Sequence, residues 1–200
     1  MENIDKIFYI NLDKRNDRKE QMEKQLFDYG ITNYERITAV FHQMGSVGCG
    51  LSHLKVLQIA KERGYKRILI LEDDFEFLVS KEEFEKNIEK LKDVNFEACF
   101  LSYNLVDFVQ SEEHDFLLRA FKCHTSAGYI INNTSFDMLI KEIQETNHLL
   151  EETGYHWIYA NDVVWNKLQE KYKWYCFKTR IGKQRNGFSD ITQEYVERTT

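Results

Sequence analysis

The sequence predicts an α/β fold in which a mostly parallel central sheet is flanked by helices. Between residues 6 and 103, short apolar runs rich in β-forming residues alternate with helical segments, which is the pattern of βαβ crossovers. The run at residues 66–71 ends in four consecutive apolar residues, as expected of a central strand buried on both faces. No repeat, linker or low-complexity tract interrupts the 200 residues, so we expect one domain over residues 1–200.

Each predicted element has its own local signal. In the first helix, Met22 and Leu26 recur at helical spacing, and Gly30 ends the pattern. Ser80, with Glu83 three residues later, is a capping box that begins a later helix. Strands are predicted at residues 6–12, 34–40, 66–71, 96–103, 116–122, 126–131 and 174–178, and helices at 16–29, 47–63, 80–91, 134–150 and 157–172. The fifth and sixth strands are close enough in sequence to form a hairpin-like pair.

Composition and charge exclude several classes of protein. The formal net charge is −6, so the chain lacks the basic surface that sequence-independent binding to nucleic acid requires. No apolar run approaches the ~20 residues of a membrane span, and the acidic N-terminus has no signal-peptide pattern, so we expect a cytoplasmic protein without a transmembrane segment. The cysteines form no C-x-x-C pair and are expected to be reduced thiols; they are Cys49, Cys99, Cys123 and Cys176.

Three consecutive acidic residues follow the predicted central strand. In an open α/β sheet, ligands bind outside the carboxyl ends of the strands, which is where Glu72, Asp73 and Asp74 stand. Along an extended chain, Glu72 and Asp74 point to one side and Asp73 to the other. Carboxylate oxygens are suitable ligands for Mg²⁺ or Mn²⁺, and a phosphate completes the coordination sphere. The alternative is an ordinary solvated acidic turn.

A glycine-rich segment stands at the head of the second predicted helix. Glycines let a backbone approach a ligand closely, and the free amides at a helix start favour an anion. Gly48, Ser52 and His53 in this segment are therefore candidates for contact with a phosphate or a sugar. A flexible loop and a capping histidine are the alternatives, because the segment lacks the Lys-Ser or Lys-Thr of a phosphate-binding loop.

Two arginines, one aspartate and the polar C-terminal segment complete the candidate residues. Arg15 and Arg18 follow Asn11 at the start of the first helix and share a face suited to a diphosphate or to local acids. Asp162 precedes an apolar run and acts either as a helix cap or as a general base held at a cleft. The segment at residues 182–191 is polar but keeps apolar anchors, which a free tail would not need.

Together these segments resemble glycosyltransferase family 25, which includes bacterial lipooligosaccharide galactosyltransferases and procollagen galactosyltransferases. The resemblance covers nearly the whole chain and rests on five motifs in the same order. They are Ile10-Asn11-Leu12 with Arg15 and Arg18, Gly48-Cys49 with Ser52-His53, Leu71-Glu72-Asp73-Asp74, Thr125-Ser126-Ala127-Gly128-Tyr129, and Gln184 with Ser189-Asp190-Ile191. Gly182 and Lys183 depart from the pattern, since the family commonly has proline ahead of its late glutamine.

The resemblance implies a GT-A-type, Rossmann-like fold and a reaction with inversion at the anomeric carbon. The implied donor is a UDP-sugar such as UDP-galactose, the implied cofactor is a divalent metal, usually Mn²⁺ with Mg²⁺ as the alternative, and the implied acceptor is a hydroxyl on a glycan or on hydroxylysine in a collagen-like chain. Glu72 and Asp74 are then metal ligands with Asp190 as the third, and Asp162 is the general base, a role that Asp190 could exchange with it. The residues expected to contact the nucleotide or the sugar are Asn11, Arg15, Arg18, Gly48, Ser52, His53, Asp73, Ser126 and Gln184.

Two other functions fit the same residues. A metal-dependent phosphatase or phosphotransferase uses similar acids on a similar sheet, and hydrolysis of simple phosphate esters would identify it. A non-catalytic carbohydrate-binding or assembly protein of glycosyltransferase descent is the second alternative, and metal-dependent release of UDP from a UDP-sugar would exclude it.

Overall fold

An eight-stranded sheet forms the centre of the molecule in the computed structural model, which describes residues 3–197. Residues 1, 2 and 198–200 of the predicted domain lie outside the described residues. The strands are β1 (Lys6–Asn11), β2 (Tyr34–Thr38), β3 (Arg67–Glu72), β4 (Phe75–Phe77), β5 (Ala98–Phe100), β6 (Asn104–Gln110), β7 (Leu117–His124), β8 (Gly128–Asn132), β9 (Trp174–Phe177), β10 (Gly182–Gln184), β11 (Gly187–Ser189) and β12 (Glu194–Val196). The helices are α1 (Asn16–Asp28), α2 (Gly45–Glu62), α3 (Lys81–Lys90), α4 (Phe136–Thr153), α5 (His156–Tyr159), α6 (Asn161–Val164) and α7 (Asn166–Lys171).

The strand directions confirm the predicted fold class. The order across the sheet is β2-β1-β3-β8-β5-β9-β7-β6. Strand β1 pairs in parallel with β2 and β3, and β5 pairs in parallel with β9, whereas β8 and β7 run antiparallel to their neighbours. Six of the eight strands therefore run in one direction. The helices cover both faces of this mostly parallel sheet, as crossover connections require.

The sheet separates the core into two layers, and the side chains of the central strand β3 alternate between them. Ile68 and Ile70 belong to the apolar cluster beneath α2 and α4, while Leu69 and Leu71 belong to the cluster beneath α1 and α3. All four side chains are fully buried. Period-two alternation in a strand that is covered on both faces explains why the apolar run is continuous.

The second half of the chain corrects two predictions. Strands β7 and β8 do not form a hairpin-like pair, because β7 lies between β6 and β9 while β8 lies between β3 and β5. Between them Thr125 has a φ of 81°, in the left-handed region, which redirects the chain instead of reversing it onto itself. The helix predicted at residues 157–172 is divided into α5, α6 and α7; Ala160 adopts an extended conformation that separates α5 from α6, and α6 ends at Val164.

Four short strands and one edge strand were not predicted. Strand β4 pairs with β10, and β11 pairs with β12, each over only three residues, which is too short to show a periodic pattern. Strand β6 at the sheet edge is exposed along most of its length and so lacks the alternation of a half-buried strand. Within residues 3–197, no helix combines the length and the apolar character needed to cross a membrane.

A single aromatic ring joins β4 to the central sheet and to β10. The buried side chain of Phe75 packs against Gly128 on β8 and Gly182 on β10. A Cβ atom at Gly128 would lie 2.5 Å from Phe75 Cε2, and one at Gly182 would lie closer still to the same ring. Only glycine therefore fits at these two positions while the ring stays in place.

Candidate functional site

Two adjoining cavities open at the carboxyl ends of β1 and β3. The first has a volume of about 320 Å³ and the second of about 830 Å³. Cys49, Glu72 and Gln184 belong to the wall that the two cavities share. The predicted residues that line the first cavity are Asn11, Arg18, Gly48, Ser52, His53, Glu72, Asp73, Asp74, Gln184 and Asp190. The second cavity is lined by Ser126 and Asp162, and Arg15 lies behind the first cavity in contact with Asp190.

The three consecutive acids all line the first cavity, but they do not alternate as predicted. Glu72 is the last residue of β3, and its Oε1 accepts hydrogen bonds from His53 and Ser126. Asp73 and Asp74 lie in the turn that follows and share one guanidinium group, that of Arg18. The expectation that Glu72 and Asp74 point away from Asp73 is wrong, because alternation ends where the extended chain ends.

Arg18 and Asn11 hold the acidic turn in place. Arg18 Nη1 donates to Asp73 Oδ1 at 2.8 Å and to Asp74 Oδ2 at 3.3 Å. Asn11 is buried, and its Nδ2 donates to Asp73 Oδ2 at 2.7 Å. Burial raises the pKa of Asp73 in spite of these donors, while Asp74 and Asp73 raise the pKa of Arg18 against the effect of its own burial. Arg18 was predicted to face either a diphosphate or local acids, and in this structure it contacts local acids.

Asp190 forms ion pairs that hold the C-terminal segment, residues 182–191, against the start of α1. The Asp190 carboxylate lies 2.8 Å from Lys14 Nζ and 2.6 Å from Arg15 Nη1. Arg15 and Arg18 also both donate to the carbonyl oxygen of Phe188, so they share a face as predicted. Although burial opposes ionisation of Asp190, the Lys14 and Arg15 side chains lower its pKa below the ordinary value of 3.8.

The attachment of this segment is expected to depend on pH. Because the pKa of Asp190 is lowered in the folded protein, its contribution to stability is fully present above pH 3.8 and is lost as the pH falls through the lowered value. We expect hydrogen exchange at residues 187–196 to accelerate below about pH 4, before the central sheet loses protection. Asp190→Asn should accelerate the same exchange already at pH 7, and equal protection in variant and wild type would contradict this assignment.

The glycine-rich helix head makes its close approaches to the protein itself. A Cβ at Gly48 would lie 2.6 Å from the carbonyl oxygen of Val40, so the glycine permits packing of α2 against the preceding loop. Ser52 Oγ donates to the carbonyl oxygen of Gly48 and accepts from the amide of Val40. Both Gly48 and Ser52 still contribute to the wall of the first cavity. Their contact with a ligand stays a prediction.

His53 is fully buried and belongs to a polar cluster at the shared wall. Its Nε2–H donates to Glu72 Oε1 at 3.1 Å, and its Nδ1 lies 2.9 Å from the hydroxyl of Tyr129. Ser126 Oγ donates to the same Glu72 oxygen at 2.7 Å. Burial opposes ionisation of Glu72, but the hydrogen bonds from His53 and Ser126 and the positive charge of Arg18 favour it, so the pKa of Glu72 is lowered.

Asp162 lies in the second cavity at the start of α6. Its Oδ2 accepts a hydrogen bond of 2.9 Å from the backbone amide of Thr125. Thr125 is β-branched and has a left-handed backbone, a conformation that costs on the order of 1–3 kcal/mol. The contact therefore fixes the segment between β7 and β8 relative to the carboxylate.

Sequence reasoning missed four side chains that build the site. Lys14 pairs with Asp190, and Arg36 donates to Asn11 Oδ1 at 2.9 Å. Cys49 lies in the shared wall, where burial and the neighbouring Glu72 raise the pKa of its thiol. Tyr129 supports His53. Cys49 and Tyr129 stand inside two of the five motifs but were given no role, and the spacing of Cys49 and His53, four residues apart on one helix, was a further signal.

The donor set of the acidic turn has the right chemistry for a divalent metal. Glu72, Asp73, Asp74 and Asp190 bring carboxylate oxygens to one cavity, and such oxygens are the ligands that Mg²⁺ and Mn²⁺ prefer. The cationic groups of Arg18, Lys14 and Arg15 pair with Asp73, Asp74 and Asp190, whereas Glu72 is hydrogen-bonded to His53 and Ser126. A divalent cation at this place would have to share the carboxylates with those groups.

Comparison with known protein families identifies the chain. The family model described as "Glycosyltransferase family 25 (LPS biosynthesis protein)" matches residues 43–165, which is more than half of the chain. The matched region contains the glycine-rich helix head, the acidic turn and Asp162. The residues around Arg15 and Asp190 lie outside it.

Individual relatives agree with the family match. The chain is 38% identical over 113 residues to the R655 protein of Acanthamoeba polyphaga mimivirus, 26% over 166 residues to a glycosyltransferase 25 family member of Drosophila melanogaster, and 28% over 130 residues to procollagen galactosyltransferase 2 of Homo sapiens. These matches cover 46%, 64% and 52% of this chain. They span only 34%, 26% and 20% of the relatives, so the chain corresponds to a part of each.

A solved structure supports the fold. A glycosyltransferase involved in the glycosylation of the major capsid of PBCV-1 superposes with a TM-score of 0.57 at 11% identity, covering 94% of this chain and 95% of that chain. The GT-A-like architecture expected from the motifs is therefore confirmed. The family match over residues 43–165 shows that the chain belongs to glycosyltransferase family 25.

Proposed function

We propose that this chain is an inverting, metal-dependent glycosyltransferase that moves a hexose, galactose as the first choice, from a UDP-sugar to an acceptor hydroxyl. The observation that carries the proposal is the pair of adjoining cavities, one with the acidic turn and the other with Asp162. The first cavity would hold the donor and the second the acceptor. The shared wall would then be the place where the two reacting atoms meet.

The donor side would use the charged residues of the first cavity. Glu72 and Asp74, with Asp190 as the third ligand, would hold Mn²⁺ or Mg²⁺, and Asp73 would keep its contacts to Asn11 and Arg18. When bound, the metal would neutralise negative charge that develops on the departing diphosphate. Arg18, which lines the same cavity, would add fixed positive charge beside it, and Arg15 would add charge from behind through its contact with Asp190.

The remaining predicted residues would surround the nucleotide and the sugar. Gly48, Ser52 and His53 line the first cavity, so they would border the ribose or the transferred sugar. Gln184 lies in the wall that the two cavities share, and Ser126 lines the second cavity in contact with Glu72. They would contact the sugar between its donor and acceptor positions.

Asp162 would act as the general base on the acceptor side. Its carboxylate would take the proton from the acceptor hydroxyl while that oxygen forms a bond to the anomeric carbon. The bond between the anomeric carbon and the UDP oxygen would break, and UDP would leave with the electron pair. Attack from the face opposite the leaving group gives inversion. General-base assistance of this kind is worth about 10²–10⁴-fold in rate.

The acceptor is proposed to be a hydroxyl on a glycan or on hydroxylysine in a collagen-like chain. The name of the human relative points to procollagen and galactose, and the family description points to LPS biosynthesis. Next to His156, which lines the second cavity, Trp157 is 60% exposed and its ring lies 5.0 Å from that of Tyr155. Exposed aromatic rings of this kind offer a stacking surface to a sugar.

Release of UDP tests the proposal. With purified protein and a panel of UDP-sugars, we expect one donor, UDP-galactose first, to release UDP in the presence of Mn²⁺ and to stop when the metal is chelated. Binding of a UDP-sugar without release would support the carbohydrate-binding alternative instead. Hydrolysis of p-nitrophenyl phosphate would support the phosphatase. Neither binding nor turnover with any UDP-sugar would refute the proposed donor class.

A further inference from the structure

A side-chain cluster in the shared wall contains three different metal-binding groups. Cys49 Sγ, a ring nitrogen of His53 and a carboxylate oxygen of Glu72 all lie within 4.8 Å of one another. Cys49 and His53 lie on one face of α2, and Glu72 meets them from the end of β3. We propose that these three residues bind a zinc-class ion, meaning Zn²⁺ or its spectroscopic substitute Co²⁺.

The donor set distinguishes this site from the carboxylate site proposed for Mn²⁺. A thiolate and an imidazole favour zinc, whereas Mg²⁺ and Mn²⁺ favour oxygen ligands. Atoms bound to one tetrahedral zinc lie about 3.3–3.7 Å apart, given bond lengths of about 2.0–2.3 Å. The three ligand atoms therefore need to approach one another by little more than about 1 Å. Side-chain rotation is sufficient for a change of that size.

Charge balance also favours a divalent ion at this position. One thiolate from Cys49, one carboxylate from Glu72 and Zn²⁺ sum to zero, and the His53 imidazole is neutral. The occupied site would thus add no uncompensated charge to a wall in which His53 is fully buried. The proton of the Cys49 thiol leaves to solvent when the metal binds.

Outer contacts already orient two of the three ligands. The Tyr129 hydroxyl lies 2.9 Å from His53 Nδ1, and Ser126 Oγ donates to Glu72 Oε1. Metal-binding histidines typically pair their second ring nitrogen in this way. When the metal takes Nε2, the ring proton resides on Nδ1, and the Tyr129 oxygen accepts a hydrogen bond instead of donating one. A tyrosine hydroxyl can do either.

The site has an open fourth position. Cys49 and Glu72 line both cavities, so an ion held between them faces the space that a ligand would enter. Three protein ligands and one open position are typical of zinc sites that exchange ligands, unlike closed structural sites. Because Glu72 is shared, zinc is also expected to inhibit Mn²⁺-dependent transfer. That consequence rests on the proposed function, whereas metal binding itself does not.

Cobalt spectroscopy on the metal-free protein tests the site without any nucleotide sugar. Titration with Co²⁺ should produce a sulfur-to-cobalt charge-transfer band in the near ultraviolet that saturates at one ion per chain and disappears when Zn²⁺ is added. Cys49→Ser should remove the band and weaken Co²⁺ binding by more than about 100-fold. Tyr129→Phe should keep the band and weaken binding by about 10–100-fold, as loss of an outer contact does.

A matched cysteine variant controls for the other thiols. Cys123 and Cys176 have sulfur atoms 3.8 Å apart in the core, so Cys176→Ser tests whether that pair binds cobalt instead. We expect Cys176→Ser to keep the band. Loss of the band in Cys176→Ser with retention in Cys49→Ser, or no band in the wild type, would overturn the proposal. If Cys49→Ser does not fold, X-ray absorption on the zinc-loaded wild type still decides, because the site requires one sulfur among nitrogen and oxygen ligands.

Discussion

Asp162→Asn is expected to lower the turnover number for UDP-sugar transfer or hydrolysis by about 10²–10⁴-fold. Asparagine has nearly the same shape, and its side-chain oxygen can still accept the hydrogen bond from Thr125, so the backbone strain at Thr125 stays supported. The amide cannot accept a proton from the acceptor, which removes the proposed base. The affinity for UDP, measured by calorimetry with Mn²⁺ present, should stay nearly unchanged.

Two further variants separate chemistry from structure at this position. Asp162→Ala removes both the base and the contact to Thr125, so it should lose thermal stability in addition to turnover. Asp137→Asn removes a carboxylate that is 76% exposed and pairs with Lys61 on the surface, and it should leave turnover unchanged. If Asp162→Asn keeps turnover within tenfold of the wild type, Asp162 is not the base, and Asp190 becomes the residue to test.

Arg18→Ala is expected to lower the free energy of unfolding by about 3 kcal/mol, near the lower end of the cost of leaving buried charges unpaired. The side chains of Arg18 and Asp73 are only 14% and 10% exposed, so water screens their pair poorly. Without the guanidinium, the carboxylates of Asp73 and Asp74 repel each other in the same turn. The cost is moderated because burial already raises the pKa of Asp73 and lets it take up a proton.

Manganese should reverse part of this loss. If the turn is a cation site, Mn²⁺ binds the folded Arg18→Ala protein in place of the guanidinium, and saturation at 100 times Kd returns about 2.7 kcal/mol. Thermal unfolding with and without Mn²⁺ measures the effect, which should be larger in Arg18→Ala than in the wild type. Arg63→Ala is the control, because its pair with Glu35 is exposed and worth at most about 1 kcal/mol. Equal Mn²⁺ shifts in all three proteins would contradict a cation site at the turn.

The parts of the fold that could be predicted are those with a local signal. The alternation from β1 to β3 was readable because each strand is an apolar run and each helix has its own spacing. The position of β8 in the sheet could not be predicted, because it depends on pairing across a long sequence separation, as between Leu69 and Ile130. Local patterns contain no information on which distant strand provides the partner.

In the candidate site, too, the features with a local sequence signal could be predicted and those that depend on distant residues could not. Glu72, Asp73 and Asp74 were identifiable because three adjacent acids after an apolar strand are unusual, yet their directions were mispredicted at the point where the strand ends. The ion pair between Arg15 and Asp190 joins residues 175 positions apart. The predicted residues do gather around two adjoining cavities, because the carboxyl ends of parallel strands share one edge of the sheet.

The ring of Phe75 holds β4, which directly follows the acidic turn, against the central sheet, because it packs between Gly128 and Gly182. Strands β11 and β12 are held differently, because Lys14 and Arg15 pair with Asp190 in the turn between them, and Arg15 and Arg18 donate to the carbonyl oxygen of Phe188. Salt screens ion pairs more than it weakens apolar packing, so raised ionic strength should loosen this hairpin before it loosens the acidic turn.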